Sequence, residues 1–309
     1  MKISIVMPVY NAEHFLKEAI GSILGQSFSD FEFIIVNDGS SDESGNIVKS
    51  FNDKRIVYIG NTANSGLAHS INTGVQAARG LYIARMDADD IALPHRLEEE
   101  AKYLDTHPAI GVVGSWMVFM NESGNLSHVL KRPATPLGVK WQSLFSTPLF
   151  HPAIMARSEI LKQNPYDENL HNSEDYELWS RLLFKQGVQL ANIEKPLLYY
   201  RSFDKSFTRS LDKSKRAASA LNTIHNISHY TSLHVREAEL VTLMRESETL
   251  SAMNLFAIWK IYVRAAKAFI AIEKPSPRDE RAIYKSLISF SWSLKKYWLK
   301  HLIQVRQSS

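Results

Sequence analysis

Four short apolar runs, three of them ending in a polar tip, constrain the fold most. Residues 2–9 are almost continuously apolar, as in a strand buried on both faces. Phe31–Val36, Arg55–Gly60 and Leu81–Met86 repeat the pattern. Helical spacing fills the gaps. Leu16, Ala19, Ile20, Ile23 and Leu24 share one face, and Asn64–Ala68 leads into a second helix that runs to Arg79. Strand and helix alternating at short spacing predict an α/β fold with a mostly parallel sheet and right-handed crossovers. Ligands of such sheets bind at the carboxyl ends of the strands. The tips Tyr10-Asn11, Asp38 and Asp87–Asp90 are therefore expected to line one crevice.

The last of these tips is the most unusual. Leu81-Tyr-Ile-Ala-Arg-Met ends in Asp87, Asp89 and Asp90. Like charges crowded at a strand end cost free energy unless something positive compensates them. A divalent cation, Mg²⁺ or Mn²⁺, is the usual compensator, since it favours oxygen ligands. Asp87 and Asp89 are the expected ligands. A solvated acidic turn before a helix is the plainer alternative.

Further along, Leu97, Ala101 and Leu104 mark a helix ending before Pro108. Residues 110–130 are expected to form two strands around Asn121–Asn125, which breaks the alternation and predicts a mixed sheet edge. Phe150–Met155 reads as a short strand. Asn172–Trp179 opens a helix that turns Leu178, Leu182 and Leu183 inward. Val188–Ile193 and Leu197–Arg201 are expected as two late strands, and 202–211 as a mobile loop. After residue 212 only helical spacing remains, over about 212–230, 234–250, 252–273 and 278–304. The domain division expected is 1–204, an α/β domain, and 205–309, a basic all-α region.

Composition narrows the chemistry. The chain of 309 residues has no cysteine, which excludes thiolate metal sites, disulfides and cysteine nucleophiles. The start Met-Lys-Ile-Ser-Ile-Val shows no signal-peptide layout, and no uncharged apolar run reaches the length of a membrane span. The net charge of +4 is uneven: 19 Lys and Arg face 9 Asp and Glu after residue 200, against 17 and 23 before it. From Arg281 onward there are six basic residues and no acid, interleaved with Tyr284, Phe290, Trp292, Tyr297 and Trp298. Such a stretch suits an anionic membrane surface; inward packing of the aromatics is the alternative. Nucleic acid is not an expected partner, because no binding module accompanies the charge.

Five blocks, in order, carry a resemblance: Ser4–Asn11, Ile35–Asp42, Asn64–Leu67 with Asn72–Gly74, Ala84–Asp90 and Glu174–Trp179. Over its first two thirds the chain resembles glycosyltransferase family 2, whose nucleotide-sugar fold is called GT-A, a Rossmann-like mixed sheet flanked by helices. The resemblance implies an inverting transfer from a nucleoside diphosphate sugar, UDP foremost, to a saccharide or lipid-linked acceptor in bacterial surface polysaccharide synthesis. It implies a cytoplasmic enzyme, peripheral at the inner face of the membrane. By the same resemblance Pro8, Tyr10 and Asn11 shape the base pocket, Asp38 bonds base or ribose, and Arg85 lies near the diphosphate. Asp87 contacts ribose or metal, Asp89 holds the cation, and Asp175 is the catalytic base. Glu174 is the alternative base, since both acids open a helix, where the dipole favours them anyway. Asp38 also fits a plain turn, and Ser40–Glu43 fits a capping box. Trp179 reads as core and His151 as structural, with an acceptor wall and a third metal ligand as the alternatives. Arg201 with Ser206 resembles the family's lid segment. A rival function is a non-catalytic nucleotide-sugar-binding partner. A dinucleotide dehydrogenase is disfavoured, because no glycine-rich fingerprint follows the first strand.

Overall fold

The computed structural model describes residues 1–170, 173–203, 213–231 and 252–289. Its centre is a nine-stranded mixed sheet. Strand β1 (Ile3–Val9) is buried along its whole length and pairs in parallel with β2 (Phe31–Asn37) on one side and β4 (Tyr82–Arg85) on the other. Strand β3 (Ile56–Gly60) extends the parallel part beyond β2. The expected α/β arrangement is therefore present, and the tips of β2, β1 and β4 are neighbours.

Alternation along β1 divides the core. Ile3, Ile5, Met7 and Val9 face helix α1 (Leu16–Leu24), which buries Leu16, Ala19, Ile20 and Ile23 there. Val6 faces α3 (Leu67–Ala77), which buries Ile71 and Val75. Gly74 of α3 lies so near Val6 that an added Cβ would come within 2.4 Å of it. On that second face Ser4 is polar but satisfied: its hydroxyl donates to Glu32 at 2.7 Å, and Arg79 closes on the same Glu32 at 2.6 Å. The short α2 (Ser44–Ser50) follows β2.

Beyond β4 the sheet becomes mixed. The strand order continues through β8 (Ile154–Arg157), β6 (Ile110–Asn121), β9 (Gln189–Ser202) and β5 (Ile91–Ala92), with β7 (Leu126–Leu130) hairpinned on β6. β8 runs antiparallel to β4 and β6, while β6 and β9 are parallel. Helices α4 (Arg96–Thr106), α5 (Pro136–Ser143), α6 (Ser158–Gln163) and α7 (Glu174–Ser180) complete this part.

Three details differ from expectation. The two late strands are one, β9, in which the register jumps from Ser115–Ile193 to Trp116–Pro196. Pro196 cannot donate to a ladder, and the bulge accommodates it. The strand expected at 150–155 begins later, because His151–Ala153 form a tight helical turn around Pro152 before β8. The capping box expected at Ser40–Glu43 is replaced: Asp42 accepts the Ser44 amide at 3.0 Å, and α2 starts at Ser44.

The chain divides into two compact units, Met1–Val139 with Thr147–Leu211, and Lys140–Ser146 with Asp212–Ser309. The second unit holds α8 (Lys213–Thr231), α9 (Ala252–Glu273) and a helical stretch at 277–289. Trp141 is its centre. The indole N–H donates to the Ser286 hydroxyl at 2.8 Å, and the ring packs edge-on to Phe145 and Phe269. Of the loop expected at 202–211, Ser202 instead ends β9, and residues 204–211 with Ser206 lie outside the described residues, as do the helix at 234–250, the end of the last helix and the basic aromatic stretch from Phe290 onward. No described helix is long and apolar enough to cross a membrane.

Candidate active site

The tip of β1 is shaped by Asn11, which has φ 47°. Asparagine tolerates this left-handed conformation better than most residues. Its side-chain oxygen accepts the Ser41 amide at 2.9 Å, and its own amide donates to the Ser40 hydroxyl at 3.0 Å. The ends of β1 and β2 are thereby tied together. Pro8 is buried beneath this junction and Tyr10 stands out from it, 52% exposed.

Asp38, at the end of β2, is buried and engaged through both carboxylate oxygens. One carboxylate oxygen accepts from the Asn61 side chain at 2.8 Å and the Ser65 amide at 2.9 Å, and the other accepts the Gly66 amide at 2.8 Å. It pins the loop between β3 and α3. Gly39 beside it has φ +68°, and a Cβ there would strike the Ala63 backbone at 2.6 Å. Only glycine fits.

The acids at the end of β4 are arranged differently. Carboxylate oxygens of Asp87, Asp89 and Asp90 lie within 4.8 Å of one another. Arg85 is buried and clamps Asp87 with two contacts, Nη1 to Oδ2 at 2.8 Å and Nη2 to Oδ1 at 2.5 Å. Burial opposes the Arg85 charge, but Asp87, Tyr166 and Asp90 together outweigh it and hold the guanidinium protonated. Asp90 is fully buried. One of its oxygens accepts the Arg201 amide at 2.9 Å and the other has no partner. Burial, then the charge of Asp87, raises Asp89 to about 7. Burial, then Asp89 and Asp87, pushes Asp90 well up. Converging hard oxygen donors, one of them an orphan, in a group strained by its own charge fit a divalent cation. Asp89 is the carboxylate least taken up by protein partners.

Two arginines brace this group. Arg201, at the end of β9, donates from Nε to the Asp89 carbonyl at 2.9 Å, from Nη1 to the Glu122 carbonyl at 3.0 Å and from Nη2 to Glu18 at 2.6 Å. Its guanidinium also lies 4.4 Å from the centre of the Phe15 ring. Arg96, wholly buried on α4, donates to the Arg85 carbonyl at 2.6 Å and to Glu100 at 3.1 Å. Arg96 carried no sequence signal beyond its helical position, because both of its long-range partners, the carbonyls of Arg85 and Ile154, are backbone atoms.

Asp175 lies in the first turn of α7. The Thr147 hydroxyl donates to it at 3.2 Å. Burial first, and the Glu174 carboxylate second, raise it to about 6. Glu174 accepts the Ser173 amide at 2.9 Å. Arg85 bears on Asp89, Asp90 and Asp175 alike, favouring the ionised form of each. The acidic group and Asp175 are thus in one electrostatic neighbourhood. His151 is partnered by the Tyr166 hydroxyl at 3.0 Å, and burial with the Arg85 charge pushes it well below the usual histidine range. It is a neutral structural residue beside Trp179, which is wholly buried core.

A curled mixed sheet with an acidic group at the end of its fourth strand, flanked by helices, is the GT-A class of nucleotide-sugar fold. Residues 4–164 match the family described as Glycosyl transferase family 2, and the chain belongs to that family of transferases. An uncharacterised glycosyltransferase of Methanocaldococcus jannaschii is 41% identical over 204 residues, covering 64% of this chain and 70% of the relative. The O-antigen biosynthesis glycosyltransferase WbnJ of Escherichia coli is 34% identical over 215 residues, covering 67% and 82%. Among solved structures, S. aureus TarS in complex with UDP-GlcNAc aligns at a TM-score of 0.63 with 18% identity, covering 97% of this chain and 92% of that one. The mannosyltransferase PcManGT of Pyrobaculum calidifontis, in complex with GDP-Man and Mn²⁺, aligns at 0.56 with 16% identity, covering 98% and 86%.

Proposed function

We propose that this glycosyltransferase is inverting and metal-dependent, and that it moves a sugar from a nucleoside diphosphate, UDP foremost, to a saccharide or lipid-linked acceptor in bacterial surface polysaccharide synthesis. The observation that carries the reading is the convergence of Asp87, Asp89 and Asp90 beside a raised Asp175, with Arg85 acting on both. The O-antigen role of the Escherichia coli relative supports the setting, and the UDP-GlcNAc bound by TarS supports the donor class.

The roles proposed are those that the family resemblance implies. Pro8, Tyr10 and Asn11 wall the base pocket at the end of β1. Asp38 meets base or ribose at the loop it pins. Arg85 and Asp87 border the diphosphate and ribose, and Asp89 with Asp87 holds Mg²⁺ or Mn²⁺. The cation, when bound, neutralises charge growing on the departing diphosphate. Asp175 takes the proton of the acceptor hydroxyl as that oxygen attacks the anomeric carbon. The bond to the diphosphate breaks on the opposite face, so configuration inverts and no covalent intermediate forms. A carboxylate raised to about 6 is ionised at neutral pH and more basic than an ordinary aspartate. Residues 1–204 are the donor-binding catalytic domain. Residues 205–309 serve as acceptor lid and contact the anionic inner membrane face from the cytoplasm.

The test is nucleotide release from a panel of nucleotide sugars, with Mn²⁺ or EDTA, by wild type, Asp89→Ala and Asp175→Asn. Metal-dependent release lost in both variants is the expected result. Binding without turnover, candidate acceptors included, would instead favour a non-catalytic assembly partner. Turnover surviving Asp175→Asn would move the base to Glu174.

A further inference from the structure

Among the described residues, arginines that are buried or half-buried have partners, as buried charges generally do. Arg85 grips Asp87, Arg96 grips Glu100, Arg157 grips the carbonyls of Ile110 and Leu104, and Arg201 grips Glu18. Among the described residues, Arg132 is the exception. It follows β7, half-buried, with its guanidinium 4.5 Å from the centre of the Phe150 ring. Its Nε is buried and hydrogen-bonds to nothing, and it forms no ion pair with a described carboxylate. Burial pushes its guanidinium down, and Asp175 is the described charge that pushes it back up.

Its backbone is firmly held. The Trp116 indole N–H donates to the Arg132 carbonyl at 3.0 Å. The Asn192 side chain donates to the Pro133 carbonyl at 2.7 Å, and the Asn192 amide to the Ala134 carbonyl at 3.1 Å. Strands β6 and β9 thus fix the segment that carries the cation. A positioned, half-buried guanidinium with no ion-pair contact is unfavourable until an anion meets it.

We propose that Arg132 is a specificity-determining residue that binds an anionic group, phosphate or carboxylate, on the acceptor, next to the hydroxyl that Asp175 deprotonates. This rests on the assignment of Asp175 as base. The acceptor is favoured over the donor by charge placement. The 147–150 segment carries both Thr147, which donates to Asp175 at 3.2 Å, and Phe150, on whose ring Arg132 lies, and the Asn192 side chain ties it to the Arg132 segment by donating to the Pro133 and Pro148 carbonyls, whereas Arg85 is the arginine that grips Asp87. The planar fork of a guanidinium matches the paired oxygens of both anions.

The test is calorimetric titration of protein already saturated with UDP and Mn²⁺, so that the donor phosphate positions are filled. Probes are sn-glycerol 1-phosphate and methyl β-D-glucuronide, with glycerol and methyl β-D-glucoside as neutral counterparts. Wild type is expected to bind one anionic probe at least about tenfold more tightly than its neutral counterpart. Which probe it is separates a phosphate acceptor from a carboxylate one. Arg132→Met removes that preference, and Arg132→Lys retains part of it. UDP affinity stays unchanged in both, which also reports an intact fold. An anion preference that persists in Arg132→Met overturns the proposal. So does UDP binding about tenfold weaker in that variant, which would assign the cation to the donor. Wild type that binds UDP but prefers no anion contradicts this proposal alone. Wild type that binds no UDP contradicts the donor reading, and this proposal with it.

Discussion

Asp38 and the Asp87–Asp90 group occupy similar places, at the carboxyl ends of β2 and β4 on either side of β1. Their surroundings differ. Both oxygens of Asp38 receive protein donors, three in all, two of them backbone amides. The β4 acids face one another, with Asp89 and Asp90 raised by burial and mutual repulsion and one Asp90 oxygen unpaired. A carboxylate held by three protein donors is a keystone of the fold, and the oxygen that takes only the Gly66 amide keeps one acceptor position for base or ribose. A group whose charges are left uncompensated is a place for a ligand. Position at a strand tip does not separate the two; the hydrogen-bond count does.

The sharpest way to break this contrast is to remove one member from each kind. Asp89→Ala should lower metal-dependent turnover about a thousandfold, the loss expected from several kcal/mol of charge stabilisation. Asp175→Asn should lower it by about 10²–10⁴, with nucleotide affinity kept. Nucleotide release measured with Mn²⁺ checks both. Thermal melts without metal should rank the variants differently. Asp38→Ala should lose about 2–3 kcal/mol, because the Ser65 and Gly66 amides are left without their acceptor. Asp89→Asn should melt no lower than wild type, since it removes a like charge from a crowded site. Equal destabilisation by the two would erase the distinction.

The pH profile probes the base. Asp175 must be ionised to take a proton, and its pKa of about 6 lies above that of an ordinary aspartate. Turnover should therefore climb tenfold per unit as pH rises toward 6 and level off above it. Thr147→Val removes a hydrogen bond that favours the ionised form, so the limb should move to higher pH. A limb unmoved by Thr147→Val would point to another group. The smallest effect belongs to Glu18→Gln. Glu18 is 58% exposed though it touches Arg201, and a pair so open to water should contribute less than about 1 kcal/mol in melts.

The legible part of the molecule was the local part. β1 to β4 announce themselves as apolar runs, and Asp87, Asp89 and Asp90 are adjacent in the chain, so their crowding is visible without a fold. What remained hidden depends on distant segments meeting. Asp38 was legible as a base or ribose contact with a plain turn as the alternative, but not as an anchor, because its donors come from Asn61, Ser65 and Gly66, which the β3–α3 loop brings to it. Arg201 was visible as the last residue of an expected strand and, with Ser206, as part of a segment resembling the family's lid. Its grip on Asp89, Asp90 and Glu122 exists because β9 runs beside both β5 and β6. Arg132 gave no sequence signal, since its meaning lies in the partner it lacks. β5 is too short, and α5 and α6 too brief, for periodicity to register.

The central claim is that the acids ending β4 hold a divalent cation under the donor. Electron paramagnetic resonance of Mn²⁺ titrated into the protein with UDP tests it most directly. The account predicts one Mn²⁺ site in wild type, strengthened by UDP, retained in Asp175→Asn and lost in Asp89→Ala. Mn²⁺ bound equally well by Asp89→Ala, or no Mn²⁺ bound by wild type even with UDP present, would contradict it.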